Sequence, residues 1–308
     1  MDRPLLVVVT GPTASGKTSL AIEIAEHYGS EIISADSRQI FKDLPIGTAA
    51  PTAQERSRAF HHLIGTHELD AYYSAACFES DALSILPGIW AKCPVAVVCG
   101  GSMLYIDALT KGIDDIPTVS DSVRQYVKDL HAAQGLEAVL AQLEILDPKF
   151  CATADRANTR RVMHALEVCL QTSLPYTSFL SHTRHFRPFD IIEIGIQRPR
   201  QELFDRINAR VDAMIAAGLE DEARAALAKG PYNSLNTVGY KELAAYFHGD
   251  MDRPTAIARI AKNTRVYAKK QLTWLARNPD MHWLSPENAV QDAIALIDAR
   301  LMAYEQNT

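Results

Sequence analysis

The residues best suited to chemistry form one contiguous run, Gly11-Pro12-Thr13-Ala14-Ser15-Gly16-Lys17-Thr18. The run matches G-x-x-x-x-G-K-[ST], the pattern of a loop that wraps phosphate groups. Its glycines let successive backbone N–H groups point inward, making an anion nest at the positive end of a helix. Lys17 supplies a charge for a terminal phosphate, and the Thr18 hydroxyl is placed to ligate Mg²⁺. Such a loop fixes diphosphate or polyphosphate binding and leaves the reaction open. Nucleotide kinases, NTPases and transferases that release diphosphate all need this cradle. A second candidate is Asp36, at the end of the apolar run Glu31–Ala35 and followed by the polar residues Ser37, Arg38 and Gln39. Its carboxylate could ligate Mg²⁺, act as a general base, or cap the next helix.

These groups need elements to hold them. Leu5–Thr10 (LLVVVT) is an unbroken β-rich run, as in a strand covered on both faces, and it leads directly into the loop. Helical spacing follows over Ser19–Tyr28 and stops at Gly29. Glu31–Ala35 and Pro94–Cys99 read as further strands, and Ser102–Thr110 as a helix. From Ser120 to Ser173 the period is helical throughout (Val123–Ala132, Leu136–Leu146, Thr159–Gln171). Asp190–Ile196 is again strand-like. It precedes helices over Arg200–Ala217, Glu220–Lys229, Tyr240–His248 and Thr255–Arg277, a strand at Met281–Leu284 and a helix over Glu287–Tyr304. Strands alternating with helices predict an α/β fold: a P-loop NTPase-like parallel sheet flanked by helices, with a mostly helical insertion. The expected core spans 1–115 and 186–308, with the insertion at 116–185. In such a sheet Asp36 and the loop sit at one edge, where α/β enzymes bind ligands.

Bulk properties narrow the class. The 308 residues are 47% hydrophobic and 22% charged, which fits a globular protein rather than a disordered one. No apolar run approaches a signal peptide's core or a membrane span, so the expectation is a cytoplasmic protein with no membrane association. The five cysteines have neither metal-ligand nor redox-motif spacing and read as small buried hydrophobes. Adjacent His61 and His62 have no partner at ligand spacing and read as structural. The net charge of −6 argues mildly against nucleic-acid binding, but the average hides two basic clusters. From Arg253 to Arg277 there are seven basic residues and no acidic one. There Lys262, Arg265 and Lys269 recur as one helical stripe, with Tyr267, Gln271, Thr273 and Trp274 interleaved. Arg156, Arg160, Arg161 and His164 form the second cluster. Such mixtures suit RNA, which is met through stacking, base edges and phosphates.

The ordered blocks GPTASGKT (11–18), ISADSRQIF (33–41), IGTAAP (46–51), FHHLIG (60–65), YSAACF (73–78) and GGSMLY (100–105) resemble the tRNA dimethylallyltransferase family, also called tRNA isopentenyltransferases. RRVMHALEV (160–168), TVGYKE (237–242) and TRVYAKKQLTWLA (264–276) resemble its later blocks, so the similarity runs from about residue 5 to 284. The resemblance implies transfer of a five-carbon prenyl group from dimethylallyl diphosphate to N6 of the adenosine 3′-adjacent to the anticodon, with Mg²⁺ as cofactor. It implies Asp36 as the base, with Lys17, Ser102 and Arg206 in catalysis and Arg210 joining the loop on the diphosphate. For the tRNA anticodon stem-loop it implies Asp36, Ser37, Arg38, Gln39, Ser102, Arg124, Arg160, Arg161, His164, Val238, Gly239, Tyr240, Lys241, Lys269, Lys270, Gln271 and Trp274. No obligate protein partner is expected, and the chain is expected to be a monomer.

The chain departs from the family pattern at Ser102 (usually Thr), Phe41 (Tyr), Ala50 (often Lys), Phe60 (Pro) and Gly65 (Asp). None of these touches the loop, Asp36 or the arginines. Competing readings are an ATP-dependent small-molecule kinase, a prenyltransferase acting on free adenine nucleotides, and an RNA-binding module regulated through its loop. The kinase does not explain the later blocks, and an enzyme for free nucleotides has no use for the 253–277 stripe.

Overall fold

A computed structural model describes residues 4–180 and 185–305. Chain contacts divide it into two compact units, 1–111 with 186–308 and 112–185. Positions 181–184 of the expected insertion lie outside the described residues.

The first unit is built on six parallel strands: β1 (Leu5–Thr10), β2 (Ile32–Ser34), β3 (His61–His62), β4 (Val95–Gly100), β5 (Asp190–Ile196) and β6 (His282–Leu284). They lie in the order β3-β2-β4-β1-β5-β6. Every residue of β1 and β4 is buried, as expected for strands covered on both faces. Alternate side chains feed two cores. Leu5, Val7 and Val9 pack under α1 (Lys17–Tyr28) and α12 (Ala289–Glu305). Leu6 and Val8 belong to the opposite layer, with α3 (Ala75–Trp90), α4 (Met103–Lys111), α9 (Leu219–Lys229), α10 (Tyr240–Phe247) and α11 (Arg253–Leu275). Between β5 and α9 runs α8 (Arg200–Ala216), which packs on α11. The stretch 51–93, to which the sequence pattern assigns no element, holds α2 (Ala53–Arg58), β3 and α3.

Because all six strands run the same way, their carboxyl ends share one edge. β1 pairs with β4 and β5, bringing Thr10 level with Gly100 and Gly195. Ser34 of β2 lies level with Cys99 of β4. The loop, Asp36 and Ser102 therefore leave the sheet at the same edge. β2 and β4 approach so closely there that a Cβ on Gly100 would lie 2.1 Å from the Ala35 carbonyl oxygen.

The second unit is helical: α5 (Asp121–Leu146), α6 (Pro148–Thr153) and α7 (Thr159–Thr172). α5 bends at Gly135, whose φ of 78° lies outside the helical region, at the gap between the two expected helices. Val127, Val139, Leu143, Phe150, Val162, Leu166 and Tyr176 form its own core. The buried Asp147 carboxylate accepts hydrogen bonds from the Phe150 and Thr177 amides and the Thr177 hydroxyl, so each buried oxygen has a partner.

Candidate active site

The loop after β1 is wound by residues with positive φ: Gly11 at 148°, Ala14 at 66° and Gly16 at 104°. This winding turns the backbone N–H groups inward at the start of α1. That helix has no capping side chain and no acidic residue in its first turn, so its positive end stays open to an anion. Ser15 is fully buried, and among the described residues its hydroxyl has no hydrogen-bond partner. An unsatisfied donor inside an anion nest fits a phosphate oxygen as its missing acceptor.

Three arginines close on this loop from the far side of the sequence. Arg206 of α8 donates from Nε to the Ala14 carbonyl (2.8 Å), and Arg210, one turn on, lies 3.5 Å from the Thr13 hydroxyl. Arg198, between β5 and α8, donates to the Ser15 carbonyl (2.6 Å) while paired with Glu202. Sequence reasoning missed Arg198; its position just beyond a strand neighbouring β1, at the ligand edge, is the signal that could have found it. The cations strain one another. Burial lowers the Lys17 pKa, and the nearby Arg210 lowers it further, against raising by Cys99 and Asp36. Burial likewise lowers Arg210, reinforced by Arg206.

Across the edge, Asp36 accepts from the Arg38 and Gln39 amides through Oδ1 (2.9 and 3.3 Å). These bonds close a turn over 37–40 where no helix starts, so Asp36 does not cap the next helix, and the carboxylate lies close enough to Lys17 to raise its pKa. The Ser102 hydroxyl accepts from the Ser37 amide at 2.8 Å, and the Ser102 amide donates to the Ala35 carbonyl at 3.1 Å. Tyr267 borders the same space, its hydroxyl pushed up to about 12 by burial and then by Asp36.

Several residues expected to meet RNA are occupied otherwise. Tyr240 is fully buried and donates to Glu222 (2.6 Å); the same carboxylate accepts the Ile46 and Gly47 amides. Tyr240 thus pins the 46–50 stretch from inside, and Gly239 is buried beside it. Gln39 accepts from Ser34 and donates to the Thr48 and Ala49 carbonyls, leaving its amide no free base-reading edge. Gln271 is 2% exposed and bonded at both ends. A helix buried on one side explains Tyr240 and Gln271, because sequence spacing marks the block but not which members face inward, whereas Gln39 lies in the turn after β2. His61 and His62 lie on edge strand β3, where His62 pairs with Glu31. Burial lowers the His61 pKa, and no group of three or more metal-ligating side chains occurs among the described residues.

The basic clusters stand apart from these buried groups. Lys262, Lys269 and Lys270 are exposed on α11, and Lys269 and Arg265 lie over the Phe204 ring at 5.6 and 6.0 Å. Trp274 is half-buried, with the Arg277 guanidinium 5.4 Å above it. In the helical unit Arg160 and Arg161 are exposed in the first turn of α7, where their charge opposes the helix dipole. His164 pairs with Glu167, and Arg124 is half-buried on α5. Val238 is half-buried and Lys241 exposed at the start of α10.

The geometry has counterparts in known proteins. The IPP transferase family model matches residues 39–278, and the isopentenyl transferase model matches residues 4–63. A protein of Porphyromonas gingivalis named tRNA dimethylallyltransferase 2 is 51% identical over 282 residues, covering 92% of this chain and 94% of its own. The chain belongs to the tRNA dimethylallyltransferase family. It is accordingly a transferase with the P-loop-like parallel sheet expected from the sequence. A second relative of that name, tRNA dimethylallyltransferase 1 of Bacteroides thetaiotaomicron, is 47% identical, with 94% of each chain covered. Among solved structures, the tRNA isopentenylpyrophosphate transferase of Bacillus halodurans superposes with a TM-score of 0.72 at 30% identity, covering 99% of this chain and 98% of its own.

Proposed function

We propose that this chain transfers the dimethylallyl group of dimethylallyl diphosphate to N6 of the adenosine 3′-adjacent to the anticodon in tRNA, releasing diphosphate. The carrying observation is a surplus of partly desolvated positive charge at the loop. Lys17 and Arg210 have lowered pKa values, and Arg206 adds to the repulsion. Only Asp36 among nearby carboxylates acts on Lys17. An anion of high charge relieves that repulsion, as a diphosphate would.

The roles follow from the bond changes. The C1–O bond to diphosphate breaks and the C1–N6 bond forms. Negative charge grows on the departing diphosphate, where Lys17, the loop amides, Arg206 and Arg210 stabilise it. The adenine amine is a weak nucleophile because its lone pair is delocalised into the ring, and Asp36 takes its proton as the new bond forms. Ser102 holds the Ser37 amide beside Asp36 and so fixes the base. The target adenine leaves its stack to reach this edge. The basic faces of α11 and α7 meet the tRNA backbone, with Arg124, Val238 and Lys241 as further contacts.

Mg²⁺ suits the same place. An ion shared with substrate phosphates needs only one or two protein oxygens, and Thr18 offers a hydroxyl at the start of α1. The neighbouring Cys99 thiol is pushed up to about 11 by burial, and a soft sulfur is in any case a poor donor for a hard ion such as Mg²⁺. When bound, the ion would neutralise charge developing on the diphosphate. The chain works as a cytoplasmic monomer; no helix among the described residues is long and apolar enough to cross a membrane.

The test is incubation with labelled dimethylallyl diphosphate, Mg²⁺ and either unmodified tRNA or AMP. Label entering tRNA is expected. Label entering only AMP, or ATP turnover with no prenyl transfer, overturns the proposal.

A further inference from the structure

Gln271 sits in the block expected to contact RNA, yet its side chain is 2% exposed, on the inner face of α11 beside Ala268 and Leu275. Its Oε1 accepts the Thr13 amide of the phosphate loop at 2.9 Å. Its Nε2 donates to the Gly101 carbonyl at 2.9 Å. A glutamine amide is the smallest uncharged side-chain group that accepts at one end and donates at the other over this reach. The partners are fitted to it. A Cβ on Gly101 would lie 2.4 Å from Nε2, so a larger residue there would push the amide from its hydrogen-bonded position. Gly101 leads directly into Ser102, whose hydroxyl holds the Ser37 amide next to Asp36. A continuous path therefore runs from Thr13 through Gln271, Gly101, Ser102 and Ser37 to Asp36.

We propose that Gln271 is a positioning residue: a buried strut that sets the spacing between the diphosphate loop and the Asp36 turn, and not a contact to tRNA. The strut rests on the reading of the loop as donor cradle and Asp36 as base. It predicts a particular kinetic split, because it acts on the distance between reacting groups rather than on either substrate's surface contacts. Displacements of about 1 Å in such spacing cost on the order of 10²-fold in rate.

The experiment uses three full-length variants: Gln271→Met, which keeps the volume and removes both hydrogen bonds; Gly101→Ala, which pushes on the strut from its other end; and the pair combined. Hydrogen exchange of the peptide covering residues 11–18 is measured in the free protein, and single-turnover transfer and tRNA affinity are measured alongside. Expected are faster exchange in Gln271→Met, a drop in transfer rate of at least about tenfold, and tRNA affinity within about twofold of the parent. Gly101→Ala is expected to lose rate similarly, and the double variant to be no slower than the worse single one, since both break the same link. Parent-like exchange in 11–18 overturns the strut, as does weakened tRNA affinity with an unchanged rate, or multiplicative losses in the double variant. The exchange measurement needs no substrate. A failure of the parent to prenylate tRNA therefore refutes the proposed reaction while the strut is still judged by exchange. Should Gln271→Met not fold, Gly101→Ala with Gln271 intact gives the same exchange readout.

Discussion

The phosphate loop and the basic faces of α11 and α7 both gather positive charge, and they are built in opposite ways. At the loop Lys17, Arg198 and Arg210 are half-buried, Arg206 is exposed, and the arginines are braced: Arg206 and Arg198 against loop carbonyls, and Arg210 near the Thr13 hydroxyl. Their pKa values are lowered where burial is deepest, which marks a site assembled at a cost for an anion it must hold. On α11 and α7 most of the charges are exposed and lie over aromatic rings or in a first helical turn, although Arg265 is bonded to Asn208 and Arg253 to Glu220. Partly buried charges are screened less and act through geometry; exposed ones are screened by salt and act through number. The first arrangement should govern rate and donor affinity, and the second tRNA affinity.

The largest expected separation comes from Lys17→Ala. Loss of a half-buried charge facing the leaving group should cut single-turnover transfer by about 10²–10³-fold, with tRNA affinity unchanged. A loss under about tenfold would merge the two regions into one undifferentiated surface. Arg198→Ala should come next, raising the donor KM by roughly 10-fold to 100-fold through loss of a charge-assisted bond to the loop, again without touching tRNA. Lys270→Ala and Arg160→Ala should behave the other way. Each should weaken tRNA binding a few-fold and flatten the log–log salt dependence by about one charge, leaving the donor KM alone. A salt slope identical to the parent's removes that residue from the tRNA surface. Tyr240→Phe should have the smallest functional effect. It breaks the buried bond to Glu222, costing about 1 kcal/mol of stability in a denaturant melt, with tRNA affinity preserved. Weakened tRNA binding at parent-like stability would restore Tyr240 to the RNA surface.

The same contrast explains what the sequence disclosed. The strands other than β3, the helical insertion and the loop were legible because each is written in consecutive residues or a local period, whereas α2, β3 and α3 were not. The break at Gly135 was legible too, as a gap between two helical runs. The braces were not. Arg198 and Gln271 reach Ser15 and Thr13 across 183 and 258 positions, and no local pattern records a meeting that only the sheet's strand order creates. Inward and outward members of one helical block are equally invisible when the block is matched as a string. Tyr240 and Gln271 were therefore read with Lys241 and Lys269 although their side chains face inward, and Gln39 was read with Asp36 although its amide is bonded at both ends, to Ser34 and to the Thr48 and Ala49 carbonyls. Asp36 stood open among three roles, and the helix-cap role fell only when the Arg38 and Gln39 amides on one of its oxygens were seen to close a turn.

The central claim is that Asp36 removes a proton from the attacking amine while the loop opposite holds the leaving diphosphate. Asp36→Asn tests it most directly, because the amide keeps an oxygen for the Arg38 and Gln39 N–H groups while losing the charge and the capacity to take a proton. In single-turnover transfer from a preformed complex with tRNA and dimethylallyl diphosphate, the rate should fall by roughly 10²-fold or more, with both affinities near the parent's. A rate within about twofold of the parent would remove Asp36 as the base and leave it the acceptor that closes the 37–40 turn.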